Sequence, residues 1–177
     1  MVDAVRQRGI KIECWGARWG NGRLSQEDMI RMFSRSKINL NFSSSSSVVN
    51  WKSIAKIFLN RRVDASFSLN GPREMVAHAS VLLSPERLQI KGRNFEVPGS
   101  GGFLLTSMVE HLDEYFEPGS ELATFDSVDE LIEKIQFYAT HDTEREQIRK
   151  AGYDRALRDH TYENRFRDIF RTLGLKS

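Results

Sequence analysis

The sequence predicts an α/β domain: a parallel sheet flanked by helices, closed by two C-terminal helices. Three observations predict it. The run from Ile10 to Phe42 reads as strand, helix, strand, and a connection of that kind favours a parallel pair with a right-handed crossover. A charged segment, Leu88 to Pro98, leads through Gly99-Ser100-Gly101-Gly102 into the apolar run Phe103-Leu104-Leu105, as a helix would lead into a buried strand. A third strand-like run, Leu122–Phe125, is followed at once by a capped amphipathic helix.

Taken in order, Ile10, Ile12 and Cys14 alternate with Lys11 and Glu13, which is the period of a strand. Trp15 and Trp19 flank the glycines of the loop that follows. They suit a stacking wall for a ligand, but the expectation is that they cover one end of the core. Ser25, with Glu27 and Asp28 behind it, starts a helix carrying Met29, Ile30, Met32 and Phe33, ending near Ser34–Ser36. Ile38, Leu40 and Phe42 then alternate in the second strand. The five serines Ser43–Ser47 read as a linker at its end. Residues 44–86 read as an insertion or irregular segment. Trp51, Ile54, Ile57 and Phe58 have helical spacing, Arg61-Arg62 end that piece, Asn70-Gly71-Pro72 turns, and Glu74–Leu83 is helical again.

After the strand Phe103–Thr106, the residues Met108, Val109, Leu112, Tyr115 and Phe116 predict a short amphipathic helix. Ser127 with Glu130 forms a capping box for a helix whose inner face is Val128, Leu131, Ile132, Ile135 and Tyr138. Thr143 with Glu146 is expected to start the next helix, with Ile148, Ala151 and Leu157 inward. Thr161 starts the last, with Phe166, Ile169, Phe170 and Leu173 as core positions.

Composition excludes several classes. The chain has 177 residues, 40% hydrophobic and 28% charged, enough for one domain with its own core. No apolar run approaches the length of a membrane span, and the N-terminal MVDAVRQRGIKIE carries no signal-peptide core. Cys14 is the single cysteine, so no internal disulfide forms, which fits a cytoplasmic protein; its apolar run suggests an inert thiol. Net charge is +2, from 26 basic and 24 acidic residues. The late arginines (Arg145, Arg149, Arg155, Arg158, Arg165, Arg167, Arg171) alternate with acids, as in a salt-bridged solvated face, so nucleic acid is not an expected partner. No metal is expected: His78 has no second ligand at metal spacing and is read as structural.

Chemistry concentrates between Leu88 and Thr106. Lys91, Arg93 and Glu96 lie within six residues, ahead of the glycine turn. Cations pair with phosphate, a carboxylate accepts from ribose hydroxyls, and glycine lets a ligand approach backbone closely. The same stretch also reads as a solvated turn and loop. It is neither the dinucleotide glycine fingerprint nor a P-loop.

Five pieces carry a resemblance. Ser36-Lys-Ile-Asn-Leu-Asn41, Lys91-Gly-Arg-Asn-Phe-Glu96-Val-Pro, Gly101-Gly-Phe-Leu-Leu-Thr, Glu114-Tyr-Phe-Glu-Pro-Gly119, and Ala151-Gly-Tyr153 followed by His160-Thr-Tyr162 are similar to the CgeB-like (spore-maturation-protein-like) group-1 glycosyltransferases of the GT-B type. The resemblance runs from about Gly9 to Phe170, apart from Ser44–Glu86. It implies a Rossmann-like domain, the C-terminal half of a GT-B fold, that binds a nucleotide-sugar donor as substrate and needs no separate cofactor. It implies Glu96 on the donor ribose, Lys91 and Arg93 on the diphosphate, and backbone at Gly101 and Gly102 bordering sugar or phosphate. It assigns no catalytic residue and no acceptor. The two glutamates separated by seven residues in related retaining enzymes are not both here, since Leu88 stands eight before Glu96. A GT-B enzyme has two such domains, so the expectation is a truncated chain that lacks the acceptor side. The alternative is a non-catalytic remnant or interaction module with the same fold.

Overall fold

A computed structural model describes residues 1–17, 19–43, 59–61, 67–76 and 89–174. The chain divides into two compact units. One comprises Met1–Ser43 with Ile90–Ser177, the other Ser44–Gln89.

The first unit is an α/β Rossmann-like arrangement, a parallel sheet covered by helices. Helix α1 spans Val2–Gln7, α2 Gln26–Arg35 and α3 Arg93–Gly99. Strands β1 (Asn39–Asn41), β4 (Leu104–Ser107) and β5 (Ala123–Phe125) form the sheet in the order β1-β4-β5, every pair parallel. Leu40 lies beside Leu105, and Leu105 beside Ala123. Helices α4 (Val128–Thr140), α5 (Asp142–Asp159) and α6 (Tyr162–Thr172) complete it. Within the second unit, β2 (Leu59–Arg61) and β3 (Phe67–Leu69) pair antiparallel, and a turn of helix occupies 72–76. Arg61 thus lies in a strand and does not end a helix. The helical spacing read at Trp51–Phe58, His78 and most of Glu74–Leu83 fall outside the described residues.

All four residues of β4 are buried, because the central strand of a parallel sheet has helices on both faces. Phe103 and Leu105 point to one core with Val5, Phe125, Leu131 and Ile135, and Leu104 points to the other with Val97, Leu112, Phe116 and Leu122. The second strand of the sequence reading is β1, with Ile38, Leu40 and Phe42 packed against the first core. Its alternate residues, Asn39 and Asn41, are buried polar groups on the other side.

Several expected elements differ. Residues 10–14 do not form a strand: Ile10, Ile12 and Cys14 are half-buried and Lys11 and Glu13 exposed, so the alternation is real, but no ladder forms with β1. Between 108 and 116 there is only the 3₁₀ turn Leu112–Glu114. His111 enters it with φ of 65°, a left-handed conformation that no helix continues through. Helix α5 starts at Asp142, ahead of Thr143, with no side-chain cap bond. Leu157 on it is exposed, and Gly152 and Ala156 face inward in its place. Arg145 is buried: its guanidinium donates to the carbonyl of Tyr138 at 2.6 Å and pairs with Asp142 at 2.6 Å. On α6, Phe166, Ile169, Phe170 and Leu173 are not core; Phe166 is 52% and Leu173 66% exposed. The helix is held along its flank, where Arg165 stacks over Phe95 at 4.7 Å and over Tyr115 at 5.5 Å. Among the described residues no helix is long and apolar enough to cross a membrane.

Candidate functional site

Parallel sheets present ligand sites at the carboxyl ends of their strands. Here that end is furnished by β1, β4 and the start of α3. Helix α3 begins at Gly92, which carries no side-chain cap, and Glu96 folds back over it. Lys91 is half-buried and donates from Nζ to the carbonyl of Phe42 at 3.1 Å, just past the end of β1. Arg93 lies on the adjacent turn. Its guanidinium stacks over Phe33 at 4.9 Å and pairs through Nε with Glu96 at 3.5 Å; Arg93 and Glu96 are about half exposed. Arg93 and Glu96 therefore lie in the first turns of α3 and Lys91 just ahead of it, at the ligand-facing end of the sheet.

Behind them lies a polar network. Asn41 donates from Nδ2 to Asn94 Oδ1 and to Thr106 Oγ1 at 3.1 Å, joining β1, α3 and β4. Asn94 is fully buried, and its own Nδ2 has no partner. Ser43 donates its backbone N–H to Ser107 Oγ at 3.2 Å, while its hydroxyl is buried and unpaired.

Gly101 and Gly102 lie at the other end of α3. Gly102 packs against the amino end of β1: a Cβ there would sit 2.6 Å from the carbonyl oxygen of Phe33 and 2.8 Å from Asn39 Nδ2. Gly101 has φ of 71°, and its carbonyl accepts from Arg149 Nη1 at 2.9 Å. Close packing and a helix-ending turn account for both glycines. The structure pairs Arg93 with Glu96, sets Lys91 just ahead of them beside the end of β1, and leaves the glycine pair at the other end of α3.

A cleft of about 850 Å³ opens between β1 and the run 10–16, floored by α2. Arg93 lines it; Lys91 and Glu96 do not. Sequence reasoning missed this cleft, because its far wall is the run expected to pair as a strand. Trp15 and Trp19 stand in that wall, 38% and 40% exposed, and do not close the core as expected. Among the described residues no group of three or more His, Cys, Asp or Glu side chains is assembled to hold a metal ion.

The chain has no match among curated proteins or solved structures. It does match a family described as glycosyl transferase-like, over residues 1–171. An α/β unit with charged side chains gathered at the carboxyl ends of its parallel strands accords with that match, and the chain belongs to this glycosyl transferase-like family.

Proposed function

We propose that this chain is the donor-binding domain of a CgeB-like glycosyltransferase of the GT-B type, and that it holds a nucleotide-sugar at the carboxyl ends of β1 and β4. The observation that carries the reading is the placement of Lys91 beside the end of β1 and of the Arg93–Glu96 pair at the start of α3, at that end of the sheet. In glycosyl transfer an acceptor hydroxyl attacks the anomeric carbon while the bond to the leaving phosphate breaks. Negative charge develops on the nucleoside diphosphate, and a cation fixed beside it stabilises the transition state more than the ground state. Arg93 suits that role, since stacking on Phe33 and pairing with Glu96 hold it without burying it. Lys91 adds a second positive charge beside the end of β1. Glu96 has a carboxylate oxygen free to accept from a ribose hydroxyl. The acceptor and its base lie with residues to which this site gives no role.

Calorimetry with UDP, GDP, ADP and inorganic pyrophosphate tests the reading. Wild type binds at least one nucleoside diphosphate. Glu96→Ala weakens that binding about tenfold, the loss of one charge-assisted hydrogen bond of about 1.5 kcal/mol, and changes pyrophosphate binding by less, since pyrophosphate has no ribose. Arg93→Ala weakens both probes. Absence of any binding to wild type sinks the donor site.

A second reading, a non-catalytic interaction module, is favoured by the exposed apolar side of α6. Sustained release of nucleoside diphosphate from a nucleotide-sugar by residues 1–177 rules it out.

A further inference from the structure

The wall of the cleft opposite β1 has the chemistry of a nucleotide subsite. Trp15 is 38% exposed, and among the described residues no aromatic ring or cation stacks on it. Trp19, by contrast, has Arg6 over its ring at 5.7 Å. The loop behind Trp15 is built to hold it. Gly16 donates its N–H to the carbonyl of Gly22 at 2.6 Å, and Asn21 Nδ2 donates to the carbonyl of Cys14 at 3.1 Å. Gly16 has φ of 136°, which a side chain rarely adopts, so the turn after Trp15 is fixed by its glycine. A large, rigid indole, 38% exposed on this loop, is a platform on which no ring or cation is stacked among the described residues.

The charge of the cleft points to the occupant. Lys11 and Arg23 line it, and neither makes a hydrogen bond or ion pair with any described residue. Arg93 faces the same space from the turn of α3. Glu13 is the one acid among the described lining residues. A bare aromatic face beside uncommitted cations matches a nucleoside phosphate: the base stacks, and the phosphates meet the cations. The volume of about 850 Å³ lies within the range of small-molecule sites.

We propose that Trp15 is the base-stacking platform of the donor site and that Arg23, which lines the same cleft as Arg93, is a phosphate contact. This rests on the donor-site reading above and assigns its nucleoside end. Because any base has an aromatic face, Trp15 gives affinity without selecting the base.

The test is calorimetry on residues 1–177 with UDP, GDP, ADP and inorganic pyrophosphate, using wild type, Trp15→Ala, Trp15→Phe, Arg23→Ala and Arg93→Ala. Trp15→Ala is expected to weaken nucleoside diphosphate binding about ten- to hundredfold, the value of one stacked base. Trp15→Phe restores most of it, and pyrophosphate binds all three proteins equally. Arg23→Ala weakens both probes. If Trp15→Ala binds nucleoside diphosphate like wild type while Arg93→Ala weakens it, the platform is overturned and the donor site stands. If wild type binds neither probe, both readings fall. Equal loss of both probes in Trp15→Ala and Trp15→Phe also overturns the platform, since it marks damage to the fold.

Discussion

Gly152 leaves no room for one more carbon. A Cβ there would stand 2.2 Å from the backbone oxygen of Glu121. Helix α5 thus crosses the chain entering β5 at backbone-to-backbone distance. Gly152→Ala gains up to about 1 kcal/mol in helix propensity, but the clash is with backbone that cannot swing away. A net loss of about 1–3 kcal/mol is expected, read as a lower urea midpoint at unchanged slope. The sequence does not reveal this, because a helical glycine looks the same whether it packs closely or faces water. The same limit applies at the candidate site. The pairing of Arg93 with Glu96 is legible from spacing, since residues three apart on a helix are neighbours. Gly101-Gly102 looked equally suited to a ligand, yet the residues that crowd them, Phe33 and Arg149, come from distant parts of the chain.

Helix α4 shows how much an element owes to its first turn. Ser127 Oγ accepts from the N–H of Glu130 at 3.2 Å, and Glu130 reaches back to the N–H of Asp126 at 2.7 Å, one residue before the box expected from sequence. Ser127→Ala is expected to cost about 1 kcal/mol, with the melting temperature lowered and the far-ultraviolet spectrum of the folded protein unchanged. Capped helices are legible because cap and stripe are local signals, and α2, α4 and α6 begin where Ser25, Ser127 and Thr161 indicate. Pairing and coverage are not local. Alternation at 10–14 reports half-burial and leaves open whether a neighbour supplies hydrogen bonds. The stripe on α6 likewise reports which side is apolar, and leaves open whether anything lies against it. For that reason the sequence shows Trp15 and Trp19 as a candidate stacking wall but not the cleft that they line, while β1 and β4 are legible.

For the whole molecule, acid is the informative perturbation. Asp142 is held below the usual carboxylate range by its hydrogen bond to Arg145, Asp159 by its bond to Arg158, and Glu130 by its bond to Lys134. A carboxylate with a depressed folded value adds stability above its unfolded value and loses it as pH falls through the folded one. The melting temperature is therefore expected to fall on acidification from about pH 5 downward, and Asp142→Asn to flatten part of that fall. The Asp142 carboxylate is at the surface, so added salt reduces the difference between the two proteins. An Asp142→Asn curve parallel to wild type at low pH counts against this account.

The network of Asn41, Asn94 and Thr106 carries a consequence for how the chain reaches its native state. Its bonds join residues 53 and 65 positions apart, from two strands and one helix. With only two of the three elements assembled, an amide is stranded in apolar surroundings with its bonds unmade, a cost of about 1–3 kcal/mol per group. Partly assembled sheets leave more of these groups unpaired than the complete one, in which Asn94 Nδ2 still has no partner. The cluster thereby couples assembly: docking of α3 and pairing of β1 with β4 each supply bonds that the other leaves unmade.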